Sequence, residues 1–110
     1  MMRLFYACKY SWQGLCAALK NEAAFRQELA LLLALTALSV YLDVSAIERL
    51  AMIVSIVLIL IVELLNSAIE CIVDRVSTER HTLSGRAKDY GSLAVLLSVF
   101  IAIATWIIIL

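Results

Sequence analysis

Polar side chains recur at regular intervals along one strongly apolar segment, VELLNSAIECIVDR, at residues 62–75. Glu63, Asn66, Glu70 and Asp74 follow one another at intervals of three or four residues. Because an α-helix turns by about 100° per residue, this spacing places all four on one face. An ionised side chain in hydrocarbon costs about 3 kcal/mol or more, so such groups usually face a protein interior and serve a function. The segment therefore predicts a polar site on a helix.

Two other segments supply groups that would complement this stripe. NEAAFRQE at residues 21–28 carries the acids Glu22 and Glu28, and GRAKDYGS at residues 85–92 carries Lys88. Carboxylate oxygens suit Mg²⁺, a lysine neutralises phosphate, and a deeper carboxyl such as Glu63 suits a general base. Phosphoryl transfer needs mainly positioning, a metal and charge neutralisation. The set therefore suits transfer from a soluble nucleotide to a lipid alcohol, although the sequence has no GxxxxGK[ST] or kinase-type glycine loop.

Each of these residues also has a purely structural interpretation, which spacing alone does not exclude. Glu63 and Asn66 would then form a hydrogen-bonded lock between helices, with Glu63 protonated. Asp74 would be a water-facing helix end beside Arg75. The two acids of NEAAFRQE would form ion pairs with neighbouring basic residues. Lys88 would anchor its helix at the membrane surface.

The composition predicts that these segments lie in a membrane. Hydrophobic residues make up 65% of the 110 residues and charged residues 16%, with a mean hydropathy of +1.01. Soluble domains contain about 45–50% apolar residues, so lipid must cover part of this surface. Nine Lys and Arg balance nine Asp and Glu, and this balance leaves no basic excess for binding nucleic acid.

Three uncharged stretches predict the membrane spans. The stretches at residues 29–42 and 50–62 contain 14 and 13 residues, fewer than the roughly 20 that a spanning helix needs. They must therefore extend to about 23–42 and 46–73, with a cap for the second at residues 43–45, and the third span covers about 88–110. Apolar residues at helical spacing over 4–19 predict an amphipathic surface helix at about 3–22. We expect one all-α domain over residues 1–110.

The distribution of basic residues predicts the orientation in the membrane. Residues 1–28 contain four Lys or Arg, the segment 74–89, taken as a loop, contains four, and the link 43–49 contains one. The N-terminus and the 74–89 loop therefore face the cytoplasm, and the C-terminus faces the opposite side. In this orientation the unusual polar groups all converge on one rim between membrane and cytoplasm.

The motifs NEAAFRQE, VELLNSAIECIVDR and GRAKDYGS, in this order and spacing, closely resemble the small prokaryotic diacylglycerol kinases. The resemblance extends from about Arg3 to Trp106. It implies ATP-dependent phosphorylation of 1,2-diacylglycerol to phosphatidate in the bacterial inner membrane, with the C-terminus in the periplasm. It also implies Mg²⁺ as cofactor, and a homotrimer whose active sites are shared between neighbouring subunits.

The same resemblance implies a role for individual residues. Glu63 would be the base, Asn66 would support it, and Lys88 would contact nucleotide phosphate. Glu22 and Glu70 would hold Mg²⁺ with ATP. The other implied nucleotide-binding residues are Arg3, Tyr10, Glu79, Arg80, His81 and Asp89. The implied lipid-binding residues, besides Glu63, are Ser11, Trp12, Ala24, Phe25, Arg26, Gln27, Glu28, Arg49 and Ser92.

Three alternative functions stay open at this point. Undecaprenol phosphorylation is the sister activity in the family, although NEAAFRQE and KDYGS favour diacylglycerol. A small proton-coupled exporter also has about this length and an acid inside the membrane. An exporter would not need acids, Lys88 and Asp89 gathered at one rim, and three spans rather than four count against it. A membrane oligomer with a purely structural role is the third alternative.

Overall fold

The structure is a computed structural model and describes residues 2–76 and 81–110. Within these ranges the chain forms four α-helices and no strand. They are α1 at Met2–Asn21, α2 at Ala23–Tyr41, α3 at Ala46–Val76 and α4 at Thr82–Ile109. The last three are long and apolar enough to cross a membrane, which confirms the predicted all-α membrane protein.

Helix α3 is the centre of the molecule. It packs along α4 and, over a shorter length, against α2, while α1 contacts mainly α2. Ile56 and Ile59 of α3 form a buried cluster with Ala102 of α4. In the most apolar window of each helix, 39% of α3 is buried but only 11% of α2 and of α4. Most of the apolar surface of α2 and α4 is therefore left for lipid or for other subunits.

Several hydroxyl groups and one indole N–H inside the spans are paired with backbone carbonyls. The hydroxyls of Ser55 and Ser98 donate to the carbonyls of Met52 and Val95, three residues earlier in the same helix. The indole nitrogen of Trp106 donates to the Met52 carbonyl at 3.0 Å and so connects α4 to α3. Since lipid offers no hydrogen-bond partner, these internal pairings are what makes such groups tolerable in a span.

The start of α3 is a capping box. The backbone N–H of Glu48 donates to the Ser45 hydroxyl at 3.1 Å, and the Ser45 N–H donates to a Glu48 carboxyl oxygen at 2.9 Å. Each side chain thus satisfies a backbone group that the first helical turn leaves unpaired. The predicted cap at residues 43–45 is confirmed.

Residues 74–76 and 82–89 of the predicted 74–89 loop are helical in the structure. Helix α3 continues to Val76 and α4 already begins at Thr82. His81 caps α4, because its ring nitrogen Nδ1 accepts the N–H of Leu83 at 3.0 Å. Basic residues occur in solvated helices as well as in loops, so their positions alone do not distinguish the two. Lys88 therefore lies within helix α4.

Arg49→Met is expected to destabilise the junction between α2 and α3. The guanidinium donates to the carbonyls of Ser39 at 2.8 Å and Leu42 at 3.1 Å, which also accept the backbone N–H groups of Leu42 and Val44. Losing these charged hydrogen bonds should cost about 1.5–3 kcal/mol. The measurement is the thermal unfolding temperature in detergent. The exposed neighbour Asp43, changed to Asn, serves as control, and an unchanged unfolding temperature for R49M would contradict the prediction.

Candidate active site

The polar residues of the three motifs meet at one end of the α3–α4 pair. Glu63, Asn66 and Glu70 lie half-buried on α3. Glu22 lies at the junction of α1 and α2, and Lys88 lies in the second turn of α4. The helical stripe predicted for α3 is thus present, and the structure adds residues from the other helices to it.

A sharp junction between α1 and α2 positions Glu22. This residue has an extended backbone, with φ −112° and ψ 104°, and its N–H donates to the Ala18 carbonyl at 2.9 Å. The Arg26 guanidinium reaches back from α2 and donates to the carbonyls of Leu19 at 2.9 Å and Lys20 at 3.2 Å. Arg26 thereby satisfies the end of α1 and holds it against α2.

A cleft of about 500 Å³ opens beside Glu22. It is lined on one side by Gly14 and Asn21 of α1 and on the other by Ser67 and Cys71 of α3. Small side chains on both helices leave this space open. The volume falls within the roughly 300–1,000 Å³ typical of small-molecule sites, so the cleft has room for a ligand next to Glu22.

Glu63 has other carboxyl groups as its electrostatic neighbours. Glu22 and Glu70 are close enough for their charges to act on it, and it acts in turn on Glu28 of α2. One carboxyl oxygen of Glu28, Oε2, is buried without a hydrogen-bond partner. Like charges at such a site repel one another unless a cation or a proton is bound. The arrangement therefore has the electrostatics of a cation-binding or proton-accepting site.

These acids do not form a complete metal cage by themselves. Among residues 2–76 and 81–110, no three acidic, histidine or cysteine side chains converge closely enough to hold a metal ion. Mg²⁺ in nucleotide enzymes is usually held by one or two carboxylates, with phosphate and water as the other ligands. Glu22 and Glu70, which both act electrostatically on Glu63, are candidates for such carboxylates.

Asn66 connects the acid cluster to α4. Its amide nitrogen donates to the Oε1 atom of Glu70 at 3.3 Å. Its amide oxygen is buried, has no hydrogen-bond partner and lies against Gly91 of α4. Helical spacing correctly placed Asn66 on the face of Glu63 and Glu70, but it does not reveal that a glycine of another helix packs on the amide.

Lys88 forms an ion pair with Asp74 across the end of the α3–α4 pair. The distance from its Nζ to the Oδ1 atom of Asp74 is 2.8 Å, and Glu70 is close enough to add to the attraction. The two side chains are 44% and 62% exposed, so water screens the pair and its contribution to stability is small. Both groups are open to solvent and to a charged ligand.

The other predicted nucleotide-binding residues do not all meet at this rim within one chain. Asp89 is exposed beside Lys88, and His81 caps α4. Arg3 and Tyr10 lie on α1 at about 28 and 18 Å along the helix from the junction at residue 22. Glu79 and Arg80 lie outside the described residues.

The predicted lipid-binding residues divide into exposed and structural positions. Ser11 and Trp12 lie on an exposed, largely apolar face of α1. Phe25 is only 3% exposed and packs in a core cluster, and Arg49 lies at the opposite end of α3. The remaining predicted positions are the exposed residues Ala24, Arg26, Gln27 and Ser92 and the half-buried Glu28. Contact of any of them with lipid stays a prediction.

Arg26→Met is expected to loosen the α1–α2 junction. The substitution removes the two hydrogen bonds to the end of α1 and keeps most of the aliphatic stem. Amide hydrogen exchange across residues 19–26 should become at least about tenfold faster, since even one charged hydrogen bond contributes about 1.5–3 kcal/mol. Lys9→Met, at an exposed position of α1, is the control and should exchange as the wild type does. Equal exchange in R26M and wild type would show that Arg26 does not hold the junction.

The chain is similar over nearly its whole length to known proteins of one family. The model of the prokaryotic diacylglycerol kinase family matches residues 9–110. A diacylglycerol kinase of Escherichia coli is 54% identical over 108 residues, which cover 98% of this chain and 88% of that protein. The diacylglycerol kinase of Pseudomonas aeruginosa is 50% identical over 110 residues, covering 100% and 89%. That of Haemophilus influenzae is 48% identical over 106 residues, covering 96% and 90%. The chain therefore belongs to the prokaryotic diacylglycerol kinase family.

Proposed function

We propose that this protein transfers the γ-phosphoryl group of ATP to 1,2-diacylglycerol, giving phosphatidate and ADP. The observation that carries the proposal is the convergence of Glu22, Glu63, Glu70 and Lys88 at one end of otherwise apolar helices. A lipid alcohol reaches such a rim from the bilayer, and a nucleotide reaches it from water. Membership of the family favours this phosphotransferase function over the proton-coupled exporter.

Glu63 is the proposed general base. Its half-buried carboxylate accepts the proton of the lipid hydroxyl as the hydroxyl oxygen forms a bond to the γ-phosphorus. The bond between that phosphorus and the bridging oxygen breaks, and ADP leaves with the bonding electron pair. Asn66 supports the site by holding the carboxyl group of the neighbouring Glu70.

Glu22 and Glu70 are the residues proposed to hold Mg²⁺ together with ATP. Both are half-buried carboxylates within electrostatic range of Glu63, and hard oxygen ligands are those that Mg²⁺ prefers. When bound, the ion supplies charge neutralisation to the phosphate oxygens. The 500 Å³ cleft is lined in part by Glu22 and gives a phosphate chain access to this carboxylate.

Lys88 is proposed to contact the transferred phosphate. Its exposed ion pair with Asp74 holds it at the rim without removing it from solvent, so it is available to the negative charge of the phosphate. The further proposed nucleotide contacts are Arg3, Tyr10, Glu79, Arg80, His81 and Asp89. The proposed lipid contacts are Ser11, Trp12, Ala24, Phe25, Arg26, Gln27, Glu28, Arg49 and Ser92.

The proposed assembly is a homotrimer in the bacterial inner membrane with sites shared between subunits. The outward apolar faces of α2 and α4 provide surface for neighbouring copies. Arg3 lies about 28 Å along α1 from the Glu22 junction of its own chain. We therefore propose that Arg3 contacts the nucleotide bound at the site of a neighbouring subunit. The distribution of basic residues favours an N-terminus and a Lys88-bearing end in the cytoplasm, where ATP is found, and a C-terminus in the periplasm. Native mass spectrometry in detergent tests the subunit number.

The direct test is a lipid competition assay with the purified protein. Radiolabelled ATP, Mg²⁺ and equal amounts of diacylglycerol and undecaprenol are incubated with the protein in mixed micelles, and the products are separated by thin-layer chromatography. Labelled phosphatidate is the expected product. Label in undecaprenyl phosphate would instead support the sister activity. ATP turnover that does not depend on either lipid would contradict a lipid kinase.

A further inference from the structure

Gly91 of α4 lies against the side chain of Asn66 on the polar face of α3. It is buried, whereas Gly14 and Gly85 have nothing within 4 Å of the position a Cβ would take. A Cβ at Gly91 would collide with the amide oxygen of Asn66 and would come within 3.1 Å of its Cγ. A side chain at this position therefore requires the Asn66 amide to move.

The contact is with a side chain of the site and not with the α3 backbone. The three atoms nearest to the missing Cβ all belong to the side chain of Asn66. If Gly91 served only to let two helix backbones pack closely, backbone atoms of α3 would be the nearest neighbours. An interior glycine also weakens a helix relative to alanine, so helix stability alone does not favour it here.

The Asn66 amide is hydrogen-bonded to the Glu70 carboxyl group on one side and enclosed by Gly91 on the other. The amide nitrogen donates to Glu70 at 3.3 Å while the amide oxygen is enclosed against Gly91. Any rotation or shift that relieves a collision at position 91 changes this hydrogen bond. Glu70 also acts electrostatically on Glu63 and on Lys88, so a displaced carboxyl group alters the whole rim.

We propose that Gly91 is a positioning residue for phosphoryl transfer. Its missing side chain leaves the space in which the Asn66 amide orients the Glu70 carboxyl group for Mg²⁺ and ATP. The inference rests on the proposed function of Asn66 and Glu70. Helix α4 then contributes two features to the nucleotide site, the charge of Lys88 and the space left by the missing side chain of Gly91.

Gly91→Ala should impair nucleotide use selectively. The catalytic efficiency with Mg·ATP is expected to fall by between about tenfold and 100-fold, because small displacements of reacting groups have effects of that size. The KM for diacylglycerol and the thermal unfolding temperature should stay near the wild-type values. Gly85→Ala is the matched control, since it adds the same methyl group to the same helix in open space. A wild-type KM and turnover for Mg·ATP in G91A would overturn the proposal.

The double variant G91A/N66A separates positioning from packing. Without the Asn66 side chain the added methyl group has no atom to displace, so G91A should have no further effect on efficiency or assembly in the N66A background. This comparison also applies if G91A alone does not assemble. If N66A has too little activity, the thermal stabilisation by Mg²⁺ with a non-hydrolysable ATP analogue is the readout. An equal loss in both backgrounds would overturn the role of Gly91, whereas full activity of N66A and of E70Q would contradict the proposed roles of Asn66 and Glu70.

Discussion

Glu63→Gln is expected to lower kinase turnover by about 10²–10⁴-fold, the usual contribution of a general base. The substitution preserves the size and polarity of the side chain and removes its ability to accept a proton from the lipid hydroxyl. The KM values for ATP and diacylglycerol should change little, because Glu63 acts on the transferred proton more than on binding. The measurement is initial-rate kinetics with both substrates varied in mixed micelles.

Glu48→Gln is the matched control for this experiment. It makes the same chemical change on the same helix, at the end remote from the rim, and glutamine can also complete the capping box with Ser45. It should retain wild-type turnover. Near-normal turnover of E63Q would remove the assignment of Glu63 as the base.

Glu70→Gln is expected to lower turnover by about 100-fold at ordinary Mg²⁺ concentrations, and excess Mg²⁺ should restore part of the activity. Glutamine retains an oxygen that can accept the hydrogen bond from Asn66, so the change removes mainly the negative charge. A higher Mg²⁺ concentration offsets weaker Mg²⁺ binding by mass action, but it does not restore a damaged fold. The measurement is turnover as a function of Mg²⁺ concentration at fixed ATP.

Two further variants test whether a changed Mg²⁺ dependence is confined to the proposed metal ligands. Glu22→Gln should shift the Mg²⁺ dependence in the same direction as E70Q, since the two acids are proposed to share the ion. Asp43→Asn, an exposed acid at the other end of the molecule, should leave it unchanged. A wild-type Mg²⁺ dependence in E70Q would end its proposed role as a metal ligand.

The helices and the polar face of α3 could be predicted from the sequence because their causes are local. Long apolar runs specify the spans, and a spacing of three and four residues specifies a common face for Glu63, Asn66 and Glu70. The pairing of Ser45 with Glu48 is likewise a short-range pattern. The family motifs then supplied the expected chemistry, and the three segments do meet at one end of the molecule.

The contacts between helices could not be predicted in the same way. The Lys88–Asp74 ion pair and the fit of Gly91 against Asn66 depend on how α4 lies along α3, which hydropathy does not encode. The extension of α4 back to Thr82 was missed because basic residues there also fit a solvated loop. Phe25 is a buried core residue. Its place in the motif NEAAFRQE does not by itself distinguish a core residue from one that contacts the lipid.

The hydrogen bond from Trp106 to the Met52 carbonyl gives the protein an intrinsic fluorescent probe of α3–α4 pairing. The chain contains two tryptophans, and the other, Trp12, is exposed on α1. In the variant W12F the emission therefore comes from Trp106 alone. Separation of α4 from α3 breaks the indole hydrogen bond and changes the surroundings of the ring, so the emission spectrum should follow the opening of this helix pair during unfolding.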